Sequence, residues 1–128
     1  SILRNKLMTK ILYVEDNEDN IYMLSRRLKR KSFDVIIAQD GQSGVDLAIE
    51  QLPDLILMDL SLPIKDGWQA TKDIKQHDAT RHIPIIALSA HAKDQHRQEA
   101  ITAGADDFDS KPVDLTRLLA KIDTLLTR

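Results

Sequence analysis

Asp54-Leu55-Ile56-Leu57-Met58-Asp59 sets four consecutive apolar residues between two aspartates. A run this short, apolar on both faces, suits a strand buried inside a parallel sheet better than an alternating surface strand. Pro53 stops the element before it. Leu62-Pro63-Ile64-Lys65-Asp66-Gly67 after it has the chemistry of a loop. Asp59 therefore stands at the carboxyl end of a central strand.

Similar runs recur on either side, separated by amphipathic stretches. Lys10 to Val14 reads as a first strand, and Asn17 to Lys31 as a helix with Ile21, Leu24 and Leu28 facing the core. Phe33 to Gln39 reads as a second strand. Asp40 then caps a helix whose apolar contacts are Val45, Leu47, Ala48 and Leu52. Asp54 to Asp59 is the third strand, and Trp68 to His77 a third helix. Ile83 to Ser89 is the fourth strand, and Asp94 to Ala103 a helix ended by Gly104. Asp106 to Asp109 is the fifth strand. Asp114 caps a last helix with Leu115, Leu118, Leu119, Ile122, Leu125 and Leu126 as its buried stripe. Buried strands alternating with helices predict an α/β protein with a parallel sheet covered on both faces, whose ligands bind beyond the carboxyl strand ends.

At 128 residues the chain fits one domain with a hydrophobic core. A net charge of −2 gives no bulk attraction to nucleic acid or anionic membrane. No apolar stretch is long enough to span a bilayer. The chain lacks cysteine, which excludes disulfides and thiolate metal sites and agrees with a cytoplasmic setting. Residues 1–8 read as an N-terminal tail or remnant, and 9–128 as the folded domain.

The polar residues at the strand ends form one predicted crevice: Glu15 and Asp16, Asp59, Ser89, and Lys111 before Pro112. At about 4 Å and an effective dielectric near 20, each pair of like charges costs roughly 4 kcal/mol. A divalent cation together with Lys111 balances the three carboxylates. Oxygen donors without Cys or His favour Mg²⁺, with Mn²⁺ or Ca²⁺ behind it. One carboxylate beside such a cation can attack a phosphoryl donor and become an acyl phosphate, and Asp59 is the best placed. Lys111 and the Ser89 hydroxyl are suited to hold the equatorial oxygens of the transferring group.

These blocks resemble the receiver domain of two-component response regulators. The matching stretches are Ile11 to Asn17, Asp54 to Asp59, Leu62 to Gly67, Pro84 to Ala90, and Ala103 to Pro112, in family order and spacing. The resemblance implies a flavodoxin-like, doubly wound sheet of five parallel strands in order 2-1-3-4-5 with five helices. It implies a signalling phosphoacceptor, not a turnover enzyme, with Asp59 phosphorylated by a sensor histidine kinase or a histidine phosphotransfer protein. Glu15, Asp16, Asp59 and the backbone carbonyl of Ser61 would hold Mg²⁺. Ser89 would be the switch hydroxyl, Phe108 the switch aromatic and Lys111 the phosphate-binding ammonium, with a cis Lys111-Pro112 bond. Ser61 and His91 would occupy positions that tune dephosphorylation. The helix face of Asn17, Asn20 and Met23 is the candidate docking face for the phosphodonor, and a downstream protein target would read the switched surface.

Serine at 89 and phenylalanine at 108 are the less usual residues for the family. Phe108 has no hydroxyl to keep it in water, so its inward rotamer is expected before phosphorylation. Competing readings are an unphosphorylated interaction module, a Mg²⁺-dependent phosphohydrolase and a flavin carrier. The second would want a carboxylate two residues beyond Asp59, where Ser61 stands; the third would be repelled by the acidic run Glu15-Asp16-Asn17-Glu18-Asp19. His77, His82 and His96 read as exposed, Trp68 as packing at a helix start, and Arg26-Arg27-Leu28-Lys29-Arg30-Lys31 as a solvated helix end suited to the helix dipole.

Overall fold

The computed structural model describes residues 8–90 and 94–128, the side chain of Asp94 excepted. Its elements run β1 (Lys10–Val14), α1 (Glu18–Arg30), β2 (Asp34–Ala38), α2 (Gly41–Gln51), β3 (Leu55–Asp59), α3 (Gly67–Gln76), β4 (Ile85–Ser89), α4 (Asp94–Ala103), β5 (Asp107–Ser110) and α5 (Leu115–Leu126). The five strands form one parallel sheet in the order β2-β1-β3-β4-β5, as the resemblance implied.

Alternation along the strands divides the core. Leu12, Val14, Ile56, Met58 and Ile85 face α2 and α3, where Val45, Ala48, Ala70 and Ile74 meet them. Ile11, Tyr13, Leu55, Leu57, Ile86 and Leu88 face the other way, onto Leu24 and Leu28 of α1 and Leu118, Ile122 and Leu125 of α5. β3 is buried at every residue, the consequence of its central place. A smaller cluster under α4 joins Leu60, Ala87, Ala100, Ala105 and Phe108, with Trp68 packed against it.

Asn17, Asp40, Asp66 and Asp114 each accept a hydrogen bond from a backbone N–H in the first turn of α1, α2, α3 and α5. The expected ends shift by a residue or two. Asn17 is a cap and not a helical residue. Phe33 precedes the first β1–β2 pair, Lys10 with Asp34. Asp54 lies outside the ladder, its carboxylate accepting from the Lys10 N–H at 2.7 Å. Leu52 departs further from expectation: it has φ +46° and is 54% exposed instead of packed. The following Pro53 disfavours helical backbone there. Gly104 takes φ +110°, as expected of a residue ending a helix. His96 is half-buried, its ring 6.4 Å from that of Trp68, a correction to its reading as exposed. His91 lies outside the described residues.

Candidate functional site

Register brings the polar strand ends together. Val14 pairs with Met58 across β1 and β3, so Glu15 and Asp59 leave the sheet side by side. Asp59 pairs with Leu88, which puts Ser89 one residue beyond it, and the Lys111 N–H donates to the Ser89 carbonyl at 2.8 Å. Glu15, Asp59 and Ser89 are all buried. One carboxylate oxygen from each of Glu15, Asp16 and Asp59 lies within 4.8 Å of the others, with Asp16 the exposed member. An all-oxygen set of this span fits a hard divalent cation.

Lys111 supplies the counter-charge. Its Nζ lies 2.6 Å from Glu15 Oε1 and 3.3 Å from Asp59 Oδ1. Glu15 also accepts from Tyr13 Oη, Asn20 Nδ2 and the Asn17 N–H, each at 3.3 Å. Burial pushes the Glu15 carboxyl up, but hydrogen bonding with Asp59 and Lys111 overrides it and holds the group below the ordinary carboxylate range. Asp59 goes the other way, raised to about 6, first by burial and then by its hydrogen bond with Glu15. Burial, then the charge of Glu15, also raises the Tyr13 phenol. Without a cation Asp59 therefore holds its proton more tightly than Glu15 does.

Gly67, at the start of α3, permits a close approach to the site. A Cβ there would meet the Asp59 carbonyl oxygen at 2.1 Å and Leu60 Cα at 2.7 Å. Between Asp59 and Gly67 the loop makes a tight turn, with the Lys65 N–H donating to the Pro63 carbonyl at 2.7 Å and Ile64 at φ +69°. Ser61 donates its backbone N–H to Asp59 Oδ1 at 3.1 Å, the contact that ties this loop to the aspartate. Phe108 is buried in the α4 cluster and the Lys111-Pro112 peptide bond is cis.

Two features were not legible in the sequence. The Tyr13 phenol, on what reads as a purely apolar strand, reaches Glu15. Asp109 is buried on β5 and accepts from Arg117 Nε at 2.7 Å, a contact between strand and last helix with no local sequence signal. A groove of ≈ 210 Å³ opens beside Lys111 between α1 and the β5–α5 loop, with Tyr13 among its lining residues.

The sequence profile of the response regulator receiver domain matches residues 11–123. The chain belongs to the receiver domain family of two-component response regulators. It is 35% identical over 116 residues to the polar-differentiation response regulator DivK of Brucella anthropi, covering 91% of this chain and 94% of that protein. It is 34% identical to the response regulator PleD of Caulobacter vibrioides, covering 93% of this chain but only 26% of that protein. The crystal structure of the receiver domain of sensor histidine kinase PA1611 from Pseudomonas aeruginosa superposes with a TM-score of 0.89 at 34% identity, over 95% of this chain and 100% of that one. That structure is described with a magnesium ion coordinated in its active-site cleft. The receiver domain described here carries the corresponding kind of acidic pocket. It is a signalling domain, and no helix among its described residues is long and apolar enough to cross a membrane.

Proposed function

We propose that residues 9–128 form a phosphoacceptor unit in which Asp59 takes a phosphoryl group from a phosphohistidine on a sensor kinase or phosphotransfer protein. The observation carrying this reading is the meeting of Glu15, Asp16 and Asp59 oxygens within 4.8 Å, with Lys111 as their single close cation among the described residues. Asp59 is the member at the end of the central strand, and its carboxylate attacks phosphorus as the P–N bond breaks. The released imidazole nitrogen takes up a proton. Glu15, Asp16, Asp59 and the Ser61 carbonyl are the proposed Mg²⁺ ligands. When bound, the cation neutralises carboxylate repulsion and polarises the phosphoryl group.

Lys111 moves its hydrogen bonding from Glu15 toward the phosphoryl oxygens, and the Ser89 hydroxyl is drawn to the same group. The domain assists its own phosphorylation and slow hydrolysis without turning over an external substrate. Asn17 and Asn20, already bonded around Glu15, and exposed Met23 form the proposed docking face. Phe108 begins buried, so the aromatic part of the switch changes less than the Ser89 part. The proposed setting is the cytoplasm, with which a chain lacking cysteine is compatible.

Incubation with Mg²⁺ and acetyl phosphate, followed by intact mass measurement, tests the reading. One added phosphoryl group is expected, lost in Asp59→Asn and on chelation. An unchanged wild-type mass under saturating donor would overturn it in favour of an unphosphorylated interaction module. Sustained hydrolysis of a generic phosphate ester would make the domain a phosphohydrolase.

A further inference from the structure

Tyr13 sits inside the apolar run of β1, yet it carries a hydroxyl. Its side chain is 1% exposed and belongs to the core between the sheet, α1 and α5. Phenylalanine would fill the same volume, so the hydroxyl is the part that packing does not explain. A buried phenol needs an acceptor of some kind. Residues i and i+2 of a strand share a face, which puts Glu15, just past the strand, beside the ring.

The acceptor is Glu15 Oε1, at 3.3 Å. Two further donors meet on the same oxygen, Asn20 Nδ2 from α1 at 3.3 Å and Lys111 Nζ at 2.6 Å. Three donors exceed the two lone pairs of one carboxylate oxygen, so Oε1 is saturated from three separate parts of the chain. Oε2 accepts from the Asn17 N–H at 3.3 Å. A long glutamate side chain loses rotamer freedom when it is ordered. Here that freedom is already lost before any cation binds.

The three donors differ in kind. Lys111 is charged and also lies 3.3 Å from Asp59 Oδ1, so an arriving phosphoryl group competes for it. Tyr13 and Asn20 are neutral. They fix the carboxylate without cancelling the charge that attracts a metal ion, and they stay when the ammonium leaves. Asp59 is held in the same way by a neutral donor, the Ser61 N–H at 3.1 Å. Of the two neutral side chains on Glu15, Asn20 is exposed on α1, whereas Tyr13 is locked in the core beneath the site.

We propose that Tyr13 is a positioning residue for the metal site: its phenol orients Glu15 toward a divalent cation and keeps it there when Lys111 turns to the phosphoryl group. This rests on the phosphoacceptor reading above. Groups hydrogen-bonded behind a metal ligand set its orientation, and their loss typically weakens metal binding by about ten- to a hundredfold.

Tyr13→Phe keeps the ring and removes one oxygen, and a thermal melt in metal-free buffer confirms that the full chain is folded. Calorimetry with Mg²⁺, and electron paramagnetic resonance of free Mn²⁺, are expected to show both ions bound at least about tenfold more weakly than by wild type. The Mg²⁺ concentration that gives half-maximal phosphoryl uptake from acetyl phosphate should rise by the same factor. Thr80→Val is the control. It removes another buried hydroxyl, one that donates to the Ile74 carbonyl at 2.7 Å near the amino end of β4, away from the site. That variant should melt lower and bind both ions as wild type does. Wild-type affinity in Tyr13→Phe would overturn the proposal and leave the phenol as a satisfied core hydroxyl. An equal loss of affinity in Thr80→Val would overturn it too, because lowered stability would then explain the effect. A wild-type chain that takes up no phosphoryl group at saturating Mg²⁺ would fell the phosphoacceptor reading. Intact uptake with metal affinity indifferent to the hydroxyl would fell this inference alone.

Discussion

Lys111 Nζ sits 2.6 Å from Glu15 Oε1, a contact between residues 96 positions apart that closes the acidic site from the β5 side. The same ammonium is 3.3 Å from Asp59 Oδ1, so one cation serves two buried carboxylates.

Lys111→Met should therefore cost stability as well as phosphorylation. It strands Glu15 and Asp59 without their counter-charge, and roughly 1–3 kcal/mol of loss is expected in metal-free buffer. Mg²⁺ should recover part of it by supplying positive charge to the same oxygens. Thermal melts of wild type and variant, with and without Mg²⁺, check this; a variant loss that Mg²⁺ leaves untouched would contradict it.

Gly67→Ala forces a methyl group against the Asp59 carbonyl, which would stand 2.1 Å away. Backbone on both sides leaves little room to yield, and a loss of about 2–4 kcal/mol is expected. Phosphoryl uptake should fall with it, because the displaced segment carries the Asp59 side chain. Urea denaturation and intact mass after acetyl phosphate treatment measure the two effects.

Ile64→Asn should stabilise the domain. Ile64 is 85% exposed yet held at φ +69°, where a β-branched residue is strained. Asparagine tolerates that backbone better, and a gain of about 1 kcal/mol is expected in denaturant midpoints. An unchanged or lower midpoint would show that the turn stores no recoverable strain.

Asp106 gives a pH test away from the acidic site. Burial raises its carboxyl, but hydrogen bonds from Lys75, Arg128 and the Ile85 N–H outweigh it and hold the group below its ordinary value of 3.8. A depressed carboxylate contributes stability that is present above its unfolded value and lost as pH falls through its folded one. Asp106→Asn should cost roughly 1–3 kcal/mol at neutral pH. The gap to wild type should narrow below about pH 4. Denaturation across that range would show it, and a gap independent of pH would contradict it.

Local chemistry marks the elements, while the resemblance to receiver domains carries the strand order and points to the site. Leu55 to Met58 has no polar face to offer water, so it had to be a central strand. Asp40 and Asp114 stood where caps were needed. α4 was less legible, because Ala100 is its only fully buried apolar residue and Gly104 alone marked its end. Leu52 was misread because its apolar side chain suits the helix, whereas the following proline governs its backbone.

The sequence by itself determined five strands, the polar residues at their carboxyl ends and the family they belong to. Those are local properties: apolar periodicity, capping and spacing act over a few residues. Only the tertiary structure decided that Lys111 binds Glu15 more closely than Asp59, that the Tyr13 phenol turns to the same glutamate, and that Arg117 meets buried Asp109. It also decided that Met23 and Arg27 face Pro112 and Val113 across a groove. These contacts depend on strand register and on how helices seat against the sheet. Such arrangements are set by the packing of the whole core, and no short stretch of chain encodes them.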